Sequence, residues 1–458
     1  MSKNGLFDDF PEVSAKQWKQ KIQVDLNGAD YNDMLVWESP EGIKVKPFYH
    51  TEDLKEDSLL PTSPEKWNIA QAIYAGNAKL ANKKALNAIE RGAESIIFTI
   101  PSEDISIYEL LNQINASVTS IYFDFKFLSL RFVKNVLEAT KNNGNVFLNM
   151  DIIGNLAKSG NWYYNLKKDH DLLGEIIRLN HKNTVCVDVS LYQNAGATIV
   201  QQLAYALAHG NEYLNHFSSS ERRDGRSITI TFIISMGSNY FFEIAKLKAL
   251  RLLWATLSLE YGMKSECHIL AIPSKRNKTL YDYNVNMLRT TTECMSAILG
   301  GTDTVCNLAY DSIYHKDNEF GERIARNQLL LLKNESYFND VSQVAKGSYY
   351  IETLTQQLAE KALELFKNIE AGGGFMHQLK NHTIQQKIKE SAQKEQEKFN
   401  AQEEVLVGTN KYQNKDEHMR DDLELYPFVK IVPRKTLLEP IIEKRLAEEM
   451  EQKRLKNE

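Results

Sequence analysis

Cysteines, histidines and paired carboxylates are the side chains whose spacing most readily declares chemistry, and each set here points away from it. Cys186, Cys267, Cys294 and Cys306 never fall as CxxC, and no histidine pair sits at zinc-finger spacing. All but Cys294 lie inside apolar runs, so they read as reduced core thiols of a reducing compartment. His209, His268 and His315 fall singly on different elements and read as packing or surface groups, which leaves no metal ligand set. The carboxylate pairs Asp8–Asp9 and Asp421–Asp422 lie in terminal segments rather than at strand ends, a poor place for acid–base work. The one glycine cluster, AGGGF (371–375), leads into a polar segment and offers no phosphate-cradling turn.

The elements that would position any chemistry are more explicit. Eight short β-branched and aromatic runs follow one another: NIAQAIYA (68–75), ESIIFTIP (94–101), SIYFDFKF (120–127), NVFLNMDII (145–153), TVCVDVSLY (184–192), ITITFIISM (228–236), ECHILAIPS (266–274) and TVCNLAYD (304–311). Helix-period segments such as 77–92 and 197–214 separate them. Nearly continuous apolar strands alternating with amphipathic helices argue for parallel pairing, and eight such units predict a closed (β/α)8 barrel. The aromatic loop NWYYNL (161–166) follows the fourth strand, on the face where such barrels carry their sites, and reads as a cap or a plug.

Composition bounds the rest. The chain has 458 residues, 43% of them hydrophobic, enough for a large core. With 55 basic and 60 acidic side chains its net charge of -5 gives no field to draw nucleic acid. No apolar run reaches membrane-spanning length, and the start MSKNGLFDDF reads as neither signal nor transit peptide, so the expectation is a cytoplasmic protein. Residues 1–65 read as an extension with scattered prolines and an amphipathic helix near 13–26, whose Trp18, Ile22 and Leu26 form one apolar stripe. Residues 66–375 form the barrel unit. Residues 376–458 form a charged, mostly helical tail, whose balanced charge reads as solvated surface.

On six motifs in order, the chain resembles the methylmalonyl-CoA mutase family of adenosylcobalamin-dependent acyl-CoA mutases. They are AIERGAESIIF (88–98), NAGATIVQQLAYALAHGNEYL (194–214), RTTTECMSAILGGTDTV (289–305), RIARNQ (323–328), GSYYIETLT (347–355) and VLVGTNKY (405–412). The resemblance runs from about residue 15 to 440 and implies a (β/α)8 barrel followed by a cobalamin-binding domain. That second domain carries D-x-H-x-x-G in the family, and the tail here has no such motif; DHDLLG (169–174) has the wrong spacing and falls inside the barrel.

The family's site residues carry over poorly. Where active members have R-Q-Y-A-G after the first strand, this chain has AIYAG (72–76), keeping only Tyr74 as a vestigial candidate. The stretch that brings a histidine to the thioester carbonyl appears as SLYQNAGA (190–197), without histidine, and T-I-Q-N-D appears as DIIGN (151–155). The resemblance therefore implies a small, non-catalytic subunit with no catalytic, cofactor or metal residues of its own. Adenosylcobalamin and acyl-CoA would sit on a large subunit, which residues 1–65 would wrap. Two other readings stay open: a barrel subunit of another acyl-CoA mutase that takes cobalamin from a separate chain, and a stand-alone acyl-CoA-binding scaffold.

Overall fold

The eight apolar runs become eight parallel strands in a computed structural model that describes residues 10–54, 63–219, 228–262, 265–340, 343–430 and 433–458. Asp8 and Asp9 lie outside the described residues. The strands are β1 (Asn68–Tyr74), β2 (Ser95–Ile100), β3 (Ser120–Phe125), β4 (Val146–Phe147), β5 (Val185–Asp188), β6 (Ile228–Met236), β7 (Ser265–Pro273) and β8 (Thr304–Cys306). Their order around the sheet is β4-β3-β2-β1-β8-β7-β6-β5. The ring closes between β4 and β5 through a Met150–Val185 bridge, with the Leu148 and Met150 amides donating to the Asn183 and Thr184 carbonyls at 2.9 Å. This is the (β/α)8 barrel expected from the repeat of strand and helix.

Side chains alternate along each strand. Ile69, Ile73, Ile96, Phe98, Ile121, Phe123, Val185, Val187, Phe232, Ile269 and Val305 point outward into the main core beneath the helices. Ala70, Ile97, Tyr122, Phe147, Leu270 and Cys306 form a separate cluster inside the barrel. The helices begin where short polar side chains satisfy the first free amides: Asn77 accepts from Leu80, Ser129 from Phe132, Asn165 from Lys168 and Asn318 from Gly321.

Three strands are shorter than their apolar runs. In NVFLNMDII the ladder stops early because Asp151 turns the chain, its carboxylate accepting the Gly154 amide as the cap of helix Ile152–Ser159. In TVCVDVSLY, Asp188 accepts the Ser190 amide and helix Ser190–Asn194 follows. In TVCNLAYD, Asn307 folds its side chain onto the Leu308 amide. Aspartate and asparagine side chains that reach a backbone amide offer an alternative to the ladder, and apolarity alone does not reveal it.

The amphipathic helix of the extension spans Ala15–Asp25 and buries no residue. Trp18 stacks on Phe48 at 5.2 Å yet stays half exposed, beside exposed Val13, Val24 and Met34. Further on, the extension turns through a hairpin pairing Trp37–Glu38 with Lys44–Val45, and Ile43 enters the main core. The tail is helical over Phe375–Lys380, Thr383–Asn400 and Glu448–Asn457. Its reading as solvated surface needs correction. Ile388, Phe399, Leu438, Ile441 and Leu446 are buried, and Arg445 pairs with Glu451 at 2.6 Å with both side chains buried. The hydrophobic residues were too sparse among the charges to show a face, but Ile388, Leu438 and Ile441 join the main core, and Phe399 and Leu446 cluster with Leu406 and Ala447 of the tail itself. Among the described residues no helix is long and apolar enough to cross a membrane.

Candidate functional site at the barrel mouth

A (β/α)8 barrel carries its chemistry at the strand C-terminal ends and in the axis beneath them. Here aromatic side chains occupy part of the axis, while Ala72, paired with Ile97 on the same inner layer, stays exposed. Tyr122, fully buried, stacks on Phe147 at 4.4 Å, and Phe147 stacks in turn on His268 at 4.4 Å. The Tyr122 hydroxyl hydrogen-bonds His268 Nε2 and Thr304 Oγ1, each at 2.8 Å, tying β3 to β7 and β8 across the barrel. Burial raises the Tyr122 phenol far above its ordinary range and lowers His268, so neither is set up for proton transfer near neutrality. Two small pockets lie outside the axis. One flanks Trp67 and Phe338, the other lies under helix Glu448–Asn457, and each has room, about 10 Å³, for a single water.

At the mouth, the loops after β4, β5 and β7 and the segment 434–446 bring polar groups together. Lys158 Nζ lies 3.4 Å from Glu443 Oε2, and Asn194 donates to Glu443 Oε1 at 3.0 Å. Asn194 also accepts the Lys275 amide at 2.9 Å. Ser274 Oγ donates to Gln193 at 2.8 Å. Burial would raise the Glu443 carboxyl, but Lys158, Lys275 and Asn194 hold it below the usual carboxylate range. Burial would lower Lys158, but the carboxylates of Glu443, Asp188 and Asp124 raise it. Asp188 goes the other way, because burial outweighs Lys158 and Ser190 and pushes it up. Lys158 and Glu443 are therefore the ionised pair, with Asp188 the carboxyl driven toward neutrality.

Behind the mouth lies a second buried network. Asp151 accepts from Tyr213 Oη at 2.7 Å, from the Asp188 amide at 2.9 Å and from His209 Nε2 at 2.9 Å. Burial would raise Asp151, but His209 and these hydrogen bonds lower it. His209 meets Tyr192 Oη through its other nitrogen at 2.9 Å, so no ring nitrogen is left for a metal. The network lies between strands and helices, with the His209, Tyr192 and Tyr213 side chains buried.

The residues singled out in the sequence fall apart in space. Tyr74 ends β1, exposed, its ring lying over Gly76, on the opposite side of the ring of strands from the Lys158–Glu443 pair. The SLYQNAGA run supplies Gln193 and Asn194 and then passes under the tail. Gly196 has a φ of +103°, a Cβ there would sit 2.5 Å from Ala392 of helix Thr383–Asn400, and Ser391 Oγ donates to the Gly196 carbonyl at 2.8 Å. NWYYNL lies against the β3 end, where Tyr163 and Tyr164 hydroxyls donate to the Phe125 and Leu128 carbonyls. His315 reaches Asp311 at 3.3 Å within its own loop. The four cysteines are free, burial pushes the Cys267 and Cys306 thiols up to about 12, and Cys186 and Cys294 are raised further. Among the described residues no three metal-ligating side chains cluster.

Sequence reasoning missed Tyr122, Lys158 and Glu443. Tyr122 was visible only as one of four apolar letters in a six-residue strand. The Lys158–Glu443 pair spans most of the chain and has no spacing to read.

Comparisons with known proteins follow this geometry. A family model described as methylmalonyl-CoA mutase matches residues 99–452. The methylmalonyl-CoA mutase small subunit of Porphyromonas gingivalis is 34% identical over 92% of this chain and 73% of its own length. The methylmalonyl-CoA mutase of Cereibacter sphaeroides is 28% identical over 86% of this chain and 64% of its own. The methylmalonyl-CoA mutase small subunit of Propionibacterium freudenreichii subsp. shermanii is 28% identical over 81% of this chain, which spans 64% of that relative.

Proposed function

Since this chain belongs to the methylmalonyl-CoA mutase family, we propose that it is the small subunit of a heterodimeric mutase whose chemistry takes place on the large subunit. Methylmalonyl-CoA and succinyl-CoA are interconverted there, with adenosylcobalamin. This chain contributes assembly, not catalysis, and works in the cytoplasm.

The observation that carries the reading is the aromatic stack in the barrel axis. A cofactor- or drug-sized ligand needs roughly 300–1,000 Å³ of largely preformed space. Tyr122, Phe147 and His268 occupy the barrel's centre as a hydrogen-bonded stack, so an acyl-CoA entering it would have to displace buried aromatic rings. The exposed apolar residues of the extension, Val13, Trp18, Val24 and Met34, support a role for that segment in wrapping the large subunit.

The test is purification of the chain alone and with a large subunit. Alone, it passes through gel filtration without a cobalamin spectrum and turns over no branched acyl-CoA; together, the pair does both. Turnover by the chain alone overturns the reading. Tight CoA-ester binding without turnover favours the scaffold alternative, and activity requiring a third, cobalamin-carrying chain favours the other mutase.

A further inference from the structure

Loops after three different strands converge on one carboxylate at the mouth, and that carboxylate belongs to the chain itself. We propose that Lys158, Asn194 and the Lys275 region form a carboxylate-binding site, and that Glu443 is its tethered ligand, holding segment 434–446 against the loops after β4, β5 and β7. The inference rests on the reading that the mouth is not used for catalysis, and it identifies what fastens the tail to these loops.

The Lys158 side chain is 54% exposed and that of Glu443 28%, but Glu443 is met by polar groups from separate loops. Lys158 comes from the helix after β4, Asn194 from the helix after β5 and Lys275 from the end of β7. Each reaches Glu443 or its partner: Lys158 Nζ by charge, Asn194 Nδ2 by hydrogen bond, and Lys275 through its charge and its amide bond to Asn194 Oδ1. Convergent polar groups on separate loops at this face of a barrel are the usual construction of a ligand site.

The segment is laid down as an extended peptide across those same loops. The Leu437, Ile441, Lys444 and Leu446 amides donate to the carbonyls of Gly160, Ala157, Asn194 and Arg276 at 2.8–3.1 Å. Gly160, with a φ of +78°, lets the Leu438 carbonyl come so near that a Cβ would meet it at 2.7 Å. Leu438, Ile441 and Leu446 bury their side chains on either side of Glu443. A carboxylate is specified because the two donors address its two oxygens separately, one of them a cation.

Chemical rescue tests this. Glu443→Ala empties the site, and small carboxylates should refill it. In the full chain, acetate should raise the thermal midpoint of Glu443→Ala saturably at constant ionic strength, then with the logarithm of its concentration. Chloride and acetamide should not, and wild type should show no acetate-specific shift. Glu443→Gln, which keeps the site filled, should be destabilised and unresponsive to acetate. Adding Lys158→Met to Glu443→Ala should abolish the rescue. If Glu443→Ala does not fold in chloride, recovery of folded protein on refolding in acetate is equal support, and no recovery in acetate contradicts the proposal. Equal shifts from acetate and chloride, or rescue that persists with Lys158→Met, also overturn it. None of these readouts involves cobalamin, a partner or turnover, so failure here leaves the subunit reading to its own test.

Discussion

Tyr122 decides what the barrel can hold. Its ring lies in the axis and its hydroxyl joins two other strands, so Tyr122→Phe should keep the stack and lose only the hydrogen bonds. Leaving the buried Thr304 and His268 groups unpaired costs about 1–3 kcal/mol. Tyr122→Ala removes the packing as well, and large-to-alanine changes of this kind cost about 3–5 kcal/mol. Denaturant unfolding should rank wild type above Tyr122→Phe above Tyr122→Ala. Equal stability of the two variants would mean the ring packs against nothing that matters. None of this could be read beforehand. SIYFDF announces a strand, but which of its alternating residues point inward depends on the closure of all eight strands, and that is a property of the ring.

At the scale of elements, the hairpin of the extension docks through Glu41. Its Oε1 accepts the Ile199 amide at the start of helix Ile199–Ser219, at 3.4 Å. Its Oε2 is shut from solvent without a partner, and Glu243, itself paired with Lys246, lies close by. Lys361 approaches the same turn at Gly42. Burial raises the Glu41 carboxyl more than its hydrogen bonds to Ser39 and Ile199 lower it. A raised folded-state value means that hairpin docking is strongest below the ordinary glutamate range and weakens as pH climbs through the raised value. Hydrogen exchange of the Ser39 and Ile43 amides should show protection falling with pH by no more than about tenfold per unit, for one proton. Glu41→Gln should hold its protection flat across the same range, and a matching fall in that variant would assign the effect to another group. The barrel itself was legible from eight apolar runs and the helices between them. Strand ends were not, because Asp151, Asp188 and Asn307 turn the chain with their side chains. Nor was the covered side of the tail: Glu443 lies 249 residues from Asn194, in a run whose charge reads as solvent-facing.

For the whole molecule, the extension has two parts with different fates. Ile43 is in the main core, so removing the hairpin would cut into the barrel's own packing, whereas helix Ala15–Asp25 buries nothing. Deleting residues 1–29 should therefore leave the thermal midpoint of the barrel unchanged and weaken assembly with a large subunit. Burying a large apolar side chain is worth about 1.5–3 kcal/mol, of which ordering costs remove part. A net loss of about 3 kcal/mol would raise the dissociation constant roughly a hundredfold in a calorimetric titration. Unchanged affinity would place the interface elsewhere.

The central claim is that this barrel admits no acyl-CoA and leaves the chemistry to its partner. Counting CoA-ester sites on the assembled heterodimer, by equilibrium dialysis at saturation, tests it most directly. The aromatic stack in the axis predicts one site per heterodimer, retained when Tyr122 is changed to Phe. Two sites per heterodimer would contradict the account.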